Sequence, residues 1–65
     1  MTTYEAVEIA EGFGGGEDAT EEERIEAWQT LIDTGMAWTL QGWYGRRAAS
    51  LIQAGVCRAP EGWNP

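Results

Sequence analysis

A stripe of apolar and small residues with alternating spacings of three and four positions constrains the fold of this chain most strongly. Such spacing places the residues on one face of an α-helix. The stripe follows Thr20, and Glu23 lies three residues after that threonine, which is the pattern of a helix-starting capping box. We therefore predict a first helix over residues 21–40. Its stripe, which runs on to the helix end, contains Ile25, Trp28, Ile32, Gly35, Thr39 and Gly42.

The Asp-Thr-Gly triplet at 33–35 offers an alternative, in which the first helix breaks there and Thr34 caps a second one. Glycine inside a helix costs about 1 kcal/mol relative to alanine. We favour the unbroken helix because the stripe stays in phase across Gly35. A further stripe begins after Gly42 and predicts a second helix over residues 43–54. Its members are Tyr44, Ala48, Leu51, Ile52 and Gly55.

Together the two helices predict an all-α domain over residues 20–65. Its architecture is an antiparallel two-helix hairpin followed by an irregular C-terminal tail. Residues 1–19 contain many acidic residues and the glycine-rich sequence GFGGGE at 12–17. We predict that they form a flexible acidic arm and linker. The first 26 residues hold nine acidic residues and one Arg, so the negative charge is concentrated in the N-terminal part of the chain.

The single cysteine and the absence of histidine limit how so small a chain can be stabilised. A domain of 65 residues buries a modest core, and small scaffolds usually need disulfides, a metal ion or a partner subunit. Cys57 has no second cysteine to pair with, and a zinc site of the Cys/His type is excluded. We therefore expect self-association into a helical bundle, as a homodimer or a higher oligomer.

The formal net charge of −7 restricts the partners that this chain can bind. Nucleic-acid binding relies on basic residues that neutralise phosphates, so we expect no direct nucleic-acid binding. No apolar run approaches the roughly 18 residues of a membrane-spanning helix, and we expect no membrane partner. The expected partners are therefore the protein itself and another protein.

The Asp-Thr-Gly triplet also resembles the catalytic signature of retroviral-type aspartic proteases. Those enzymes hold two such aspartates close together in a β-rich barrel, whereas helical periodicity surrounds Asp33 on both sides. Glu22 and Glu26 lie one helical turn apart, but the di-iron sites of helical bundles add histidine, which this chain lacks. We expect no enzymatic activity, no catalytic residue, no metal site and no cofactor.

Aromatic and Arg residues are concentrated around the predicted turn between the two helices, in GMAWTLQGWYGRR at 35–47. One helical hairpin has a single seam, which cannot bury every Trp, and an exposed aromatic belt marks an interaction surface. Because Trp, Tyr and Arg dominate interface hot spots, we predict a partner-binding surface formed by Trp38, Trp43, Tyr44, Arg46 and Arg47. An alternative role for the two Arg is pairing with acidic residues of the first helix or of another subunit, or stacking on Trp43 or Tyr44. Small residues nearby are predicted to allow close helix packing, namely Gly35, Gly42, Gly45 and Ala48.

The sequence EAWQTLIDTGMAWTLQGWYGRRAASLIQAGVC at 26–57 resembles a group of small acidic proteins encoded in phage genomes, particularly those of phages of actinobacteria. The shared elements are AW, LIDTG, AW, LQGW and GR, in this order and spacing, and they cover about half of the chain. Arg46 matches the Arg of the pattern, whereas Arg47 stands where a smaller polar residue is expected. The resemblance implies a phage source and the host cytoplasm as the setting, and it carries over no catalytic residue.

These observations lead to three hypotheses about function. The first is a non-enzymatic phage accessory protein that acts by protein–protein contact, through the aromatic and Arg surface at the inter-helix turn. The second is that the acidic segment 5–26 mimics DNA phosphates and inhibits a host nucleic-acid-binding or defence protein. The third is a structural component of the virion.

Overall fold

The computed structural model of the chain describes residues 1–12 and 18–62, and these residues are folded as helices and turns. Helix α1 spans Thr3–Glu11, helix α2 spans Glu21–Asp33, a short 3-10 helix spans Met36–Trp38, and helix α3 spans Gly42–Gln53. The described residues contain no β-strand. The all-α prediction is therefore confirmed, although these residues build three α-helices where two were predicted.

Helix α2 begins where the sequence predicts it, because Thr20 and Glu23 form the capping box. The Glu23 backbone N–H donates to Thr20 Oγ1 at 3.1 Å, and the Thr20 backbone N–H donates to Glu23 Oε1 at 2.9 Å. These bonds occupy amide groups that have no partner within the helix. The hydrogen bond from the Thr20 backbone holds the pKa of the Glu23 carboxyl below its usual value, and the Thr20 side chain contributes in the same direction.

The prediction of one helix over residues 21–40 is wrong beyond Asp33, where α2 ends. Gly35 has a φ of +79°, and its N–H donates to Ile32 O at 3.1 Å rather than continuing the α-helical pattern. Glycine adopts this left-handed conformation readily, because it has no Cβ. The break at 33–35 is thus the correct alternative. Thr34, however, closes α2 instead of capping the next helix, since its hydroxyl donates to Thr30 O at 2.8 Å.

Helix α1 occupies part of the segment that was predicted to be a flexible arm. Its N-terminus repeats the capping box of α2, with the Glu5 N–H donating to Thr2 Oγ1 and the Thr2 N–H donating to Glu5 Oε1, both at 3.1 Å. The helix packs on α2, and Ala6 is completely buried. Three further α1 residues are partly buried against the core, namely Val7, Ile9 and Ala10.

The two-helix hairpin is therefore replaced by a packed arrangement to which α1 contributes a third helix. The capping box at Thr2 and the buried Ala6 explain why residues 3–11 form a helix rather than an arm. Residues 13–17, which make up most of the predicted glycine-rich linker, lie outside the described residues.

The core is small and rich in alanine. Among the described residues, the large side chains with nearly complete burial are Tyr44, Leu31 and Ile32. The full set of buried residues is Ala6, Ala27, Trp28, Leu31, Ile32, Ala37, Tyr44, Ala48 and Cys57. Burial raises the pKa of the Cys57 thiol, and the negative charge of Asp33 raises it further.

The C-terminal tail is fixed to α2 by the side chain of Gln29. Its Nε2 donates to Arg58 O at 3.0 Å, and its Oε1 accepts from the Arg58 N–H at 2.8 Å. The side-chain amide therefore pairs with the Arg58 backbone as a neighbouring peptide group would. The tail follows an irregular path with turns as far as Gly62, as predicted, and residues 63–65 lie outside the described part of the chain.

Candidate functional site

Three aromatic side chains from α2 and α3 meet on one side of the molecule. Trp43 and Tyr44 stack with ring centroids 3.9 Å apart and planes inclined by 28°. Trp28 meets Trp43 edge to face at a centroid distance of 6.3 Å, and it meets Tyr44 at 5.9 Å. Aromatic pairs of this kind contribute about 0.5–1.5 kcal/mol each beyond their buried area. The cluster therefore provides side-chain contacts between α3 and α2.

Tyr44 is the most deeply buried member of this cluster and connects α3 to α1. It is 2% exposed, and its hydroxyl donates a hydrogen bond to Glu11 Oε1 at the end of α1. Burial raises the pKa of Tyr44 well above its ordinary value, and the hydrogen bond to Glu11 and the charge of Glu11 raise it further. Tyr44 was predicted for partner binding, but its burial makes it a core residue.

An open groove lies beside the cluster, between the end of α1 and neighbouring parts of α2 and α3. Its larger part has a volume of about 510 Å³ and is lined by residues 9–12, by Arg24 and Trp28, and by Trp43 and Arg47. A second part of about 350 Å³ shares Arg24, Trp28 and Arg47 with the first. Its remaining lining residues are Glu21, Ile25, Leu51 and Val56. We call the two parts together the arginine–tryptophan groove.

The charged side chains of the groove follow a fixed order. Arg24 and Arg47 line both parts and therefore mark the middle. Glu11 lines only the first part, and Glu21 lines only the second. Guanidinium groups carry a positive charge, so the middle of the groove is cationic. A carboxylate stands at each end.

The indole of Trp43 supplies the exposed apolar surface of the first part of the groove. Trp43 is 37% exposed, although its ring is stacked on Tyr44 and meets Trp28 edge to face. Trp28 is 7% exposed and also lines this part. The arrangement can hold an apolar side chain beside charged groups. Within the described residues, no three metal-binding side chains come together, and no helix could cross a membrane.

The structure divides the predicted partner-binding surface into separate places. Trp43 and Arg47 line the groove, whereas Trp38 and Arg46 line neither part of it. Trp38 is 41% exposed and packs against Gly45, where an added Cβ would lie 3.5 Å from Trp38 Cδ1. Arg46 is exposed on α3. Only two of the five predicted partner-binding residues thus belong to the groove.

The four residues predicted to allow close packing have different surroundings. Ala48 is completely buried, and Gly45 faces the 3-10 helix, with an added Cβ 3.6 Å from Ala37 O. A Cβ added at Gly42 would meet a guanidinium nitrogen of its own helix, and one added at Gly35 would meet no atom within 4 Å. Gly35 is therefore needed for its positive φ and not for close packing.

Four charged or aromatic groove residues were not predicted, namely Glu11, Glu21, Arg24 and Trp28. A signal for two of them exists in the sequence. Arg24 and Trp28 are four positions apart, as are Trp43 and Arg47, and this spacing puts each pair on one helix face. Glu11 carries no such signal, because its contact with Tyr44 spans 33 positions and depends on the tertiary fold.

Comparison with known proteins identifies a family. No curated protein and no solved structure matches the chain. A family model described as "Domain of unknown function (DUF7417)" matches residues 14–63. The matched region includes α2, the 3-10 helix and α3, whereas α1 precedes it. Because the match covers well over half of the chain, the protein belongs to the DUF7417 family, whose defining domain is one of unknown function.

Proposed function

We propose that the protein is a non-enzymatic phage accessory protein that acts in the host cytoplasm by binding another protein. The contact surface is the arginine–tryptophan groove. The observation that carries the proposal is the exposed indole of Trp43, in a groove that also presents Arg24 and Arg47. The phage source and the cytoplasmic setting rest on the resemblance of residues 26–57 to phage-encoded proteins.

Binding through the groove requires little loss of conformational entropy. Trp and Arg are the residue types most enriched among interface hot spots. Trp43 is already immobilised by its stacking on Tyr44 and its edge contact with Trp28. A side chain that is ordered before binding loses little conformational entropy on association. The groove is therefore suited to anchor a partner, and it replaces the inter-helix turn as the proposed surface.

A pull-down from infected host cells tests this proposal with variants matched in residue type. Trp43→Ala and Arg47→Ala change the groove, whereas Trp38→Ala and Arg46→Ala make the same changes outside it. We expect the partner to be recovered with wild type and both control variants. Removing a hot-spot residue costs more than about 1 kcal/mol, so each groove variant should bind the partner at least about fivefold more weakly.

Circular dichroism of each variant shows whether the fold survives. Arg47 is exposed, so Arg47→Ala keeps the test informative even if Trp43→Ala loosens the aromatic cluster. Recovery of the same amount of partner by folded groove variants would contradict the proposal, as would equal losses for Arg46→Ala and Arg47→Ala.

We also propose that the protein self-associates. The described core has nine buried residues, four of which are alanine, and a core of this size gives limited stability to a small domain. Analytical ultracentrifugation should therefore show a mass above the 7.1 kDa of one chain. The unfolding midpoint should rise with protein concentration. A folded species with the mass of one chain at every concentration would refute self-association.

The hypothesis of DNA mimicry has one supporting observation, the exposed carboxylates of Glu21, Glu22 and Glu23 at the start of α2. Binding through these side chains would be lost in high salt and in Glu→Gln variants, whereas binding anchored by Trp43 would persist. The virion hypothesis stays a prediction, which mass spectrometry of purified particles tests.

A further inference from the structure

We infer that the arginine–tryptophan groove takes a segment of a partner protein that has acidic residues at its centre, basic residues at both ends and an apolar side chain between them. The inference rests on the proposed function, because it assumes that the groove is a protein-contact surface. It adds the chemistry of the segment that the groove recognises.

The charged residues of the groove favour a bound segment that presents the opposite order of charges. Arg24 and Arg47 are the charged residues common to both parts, so the middle of the groove is cationic. Glu11 and Glu21 each line one part only, so they stand at opposite ends. A bound segment is attracted when it presents the opposite order, and it is repelled when its order matches that of the groove. The favoured order is therefore basic, acidic, basic.

The apolar side chains that line the groove favour a bound segment that also carries an apolar residue. Trp28 lines both parts of the groove, and Trp43, which lines the first part, is 37% exposed. Val56, which is 44% exposed, lies in the part lined by Glu21. A segment that carried charges alone would leave these surfaces exposed to water. An apolar side chain placed against the indoles gains burial that a fully polar segment lacks.

Charge also decides against two other occupants. A second copy of this chain, placed groove against groove, would bring the Arg pair of one copy opposite the Arg pair of the other. A nucleic acid would meet carboxylates at both ends of the groove, on a chain of net charge −7. A separate protein segment with an acidic centre avoids both conflicts.

Two synthetic peptides of identical composition and zero net charge test the inference. One has two Glu at its centre and a Lys at each end, and the other has two Lys at its centre and a Glu at each end. Both carry the same Leu and Phe residues and no Trp. Each is titrated into the full-length protein while the indole N–H signals are followed by nuclear magnetic resonance.

We expect the peptide with central Glu to shift the indole signals of Trp28 and Trp43 and to leave that of Trp38 unchanged. An exposed ion pair changes affinity by a few-fold, so two pairs replaced by repulsions give a preference of about tenfold over the peptide with central Lys. The double variant Arg24→Glu/Arg47→Glu should reverse this preference. Arg46→Glu makes the same charge change outside the groove and should leave the preference intact.

Equal binding of the two peptides, the opposite preference, or no shift with either peptide at about 1 mM would overturn the inference. So would a preference that survives Arg24→Glu/Arg47→Glu. The proposed function fails separately, when groove variants still recover the partner in the pull-down. If the pull-down succeeds and the peptides show no preference, the groove binds a partner of another chemistry.

Discussion

The Tyr44 hydroxyl offers the sharpest perturbation of how α1 is held on the rest of the molecule. Tyr44→Phe keeps the ring in the aromatic cluster and removes the hydrogen bond to Glu11. Hydrogen bonds to charged groups contribute about 1.5–3 kcal/mol. Because Glu11 is exposed and regains water when the hydroxyl is lost, we expect the low end of this range. The free energy of unfolding at neutral pH should fall by about 1.5 kcal/mol.

The pH dependence of this difference is a second part of the same prediction. The folded-state pKa of Tyr44 lies above the ordinary value of 10.0, mainly because of burial. Below about pH 10 the Tyr44 hydroxyl therefore contributes fully to the free energy of unfolding. Above it the unfolded chain loses the tyrosine proton before the folded protein does, so this contribution falls as the pH rises. The free energy of unfolding falls for this reason by at most about 1.4 kcal/mol per pH unit. Tyr44→Phe has no such proton. The difference in free energy of unfolding between wild type and Tyr44→Phe should therefore decrease between about pH 10 and about pH 11.

Urea unfolding followed by circular dichroism at several pH values measures both quantities. Cys57 titrates in both proteins and cancels in the difference. Tyr4→Phe is the matched control, because Tyr4 is 76% exposed and its substitution should change stability by no more than about 0.5 kcal/mol. Equal stability of Tyr44→Phe and wild type at neutral pH would refute the reasoning. A difference that stays constant to about pH 11 would refute the linkage argument.

Two further predictions concern the backbone and the tail. Gly35→Ala should lower the free energy of unfolding by about 1–2 kcal/mol. Gly35 has a φ of +79°, and a residue with a Cβ needs about this much free energy to adopt the left-handed conformation. Gly45→Ala should raise it by up to about 1 kcal/mol, because the site is helical and an added Cβ makes ordinary contacts. The opposite order of the two variants in chemical denaturation would contradict this account. Gln29→Ala should remove about 1–2 kcal/mol through the two lost bonds to the Arg58 backbone. It should also speed hydrogen exchange of the Arg58 amide, and unchanged protection of that amide would show that the tail is held by other contacts.

Local signals in the sequence are sufficient where the structure depends on neighbours along the chain. Thr20 and Glu23 locate the start of α2, because a capping box involves only residues within one turn. The same box at Thr2 and Glu5 marks the start of α1, although the short apolar pattern after it led to the prediction of a flexible arm. The end of α2 could not be decided in this way. Gly35 is compatible with a continued stripe and with a left-handed turn, and only the packing of the following residues separates the two.

The residues of the candidate site were partly predictable for a related reason. The concentration of Trp and Arg in residues 35–47 includes Trp43 and Arg47, which line the groove, but it also includes the buried Tyr44 and misses Trp28. Which face of α3 is covered depends on where α2 and α1 pack, and that information is distributed along the whole chain. Spacing of four between Arg24 and Trp28 is a signal that becomes meaningful once α2 and α3 are known to be neighbours.

The central claim is that the arginine–tryptophan groove is the protein's contact surface, and one affinity comparison tests it most directly. The Kd for the partner recovered from host cells is measured by calorimetry for wild type, Arg47→Glu and Arg46→Glu. The two variants make the same charge change at adjacent exposed positions of α3, of which only Arg47 lines the groove. The account predicts that Arg47→Glu weakens binding about tenfold or more, whereas Arg46→Glu changes it less than about twofold. Equal effects of the two substitutions, or no effect of Arg47→Glu, would contradict the assignment of the groove as the contact surface.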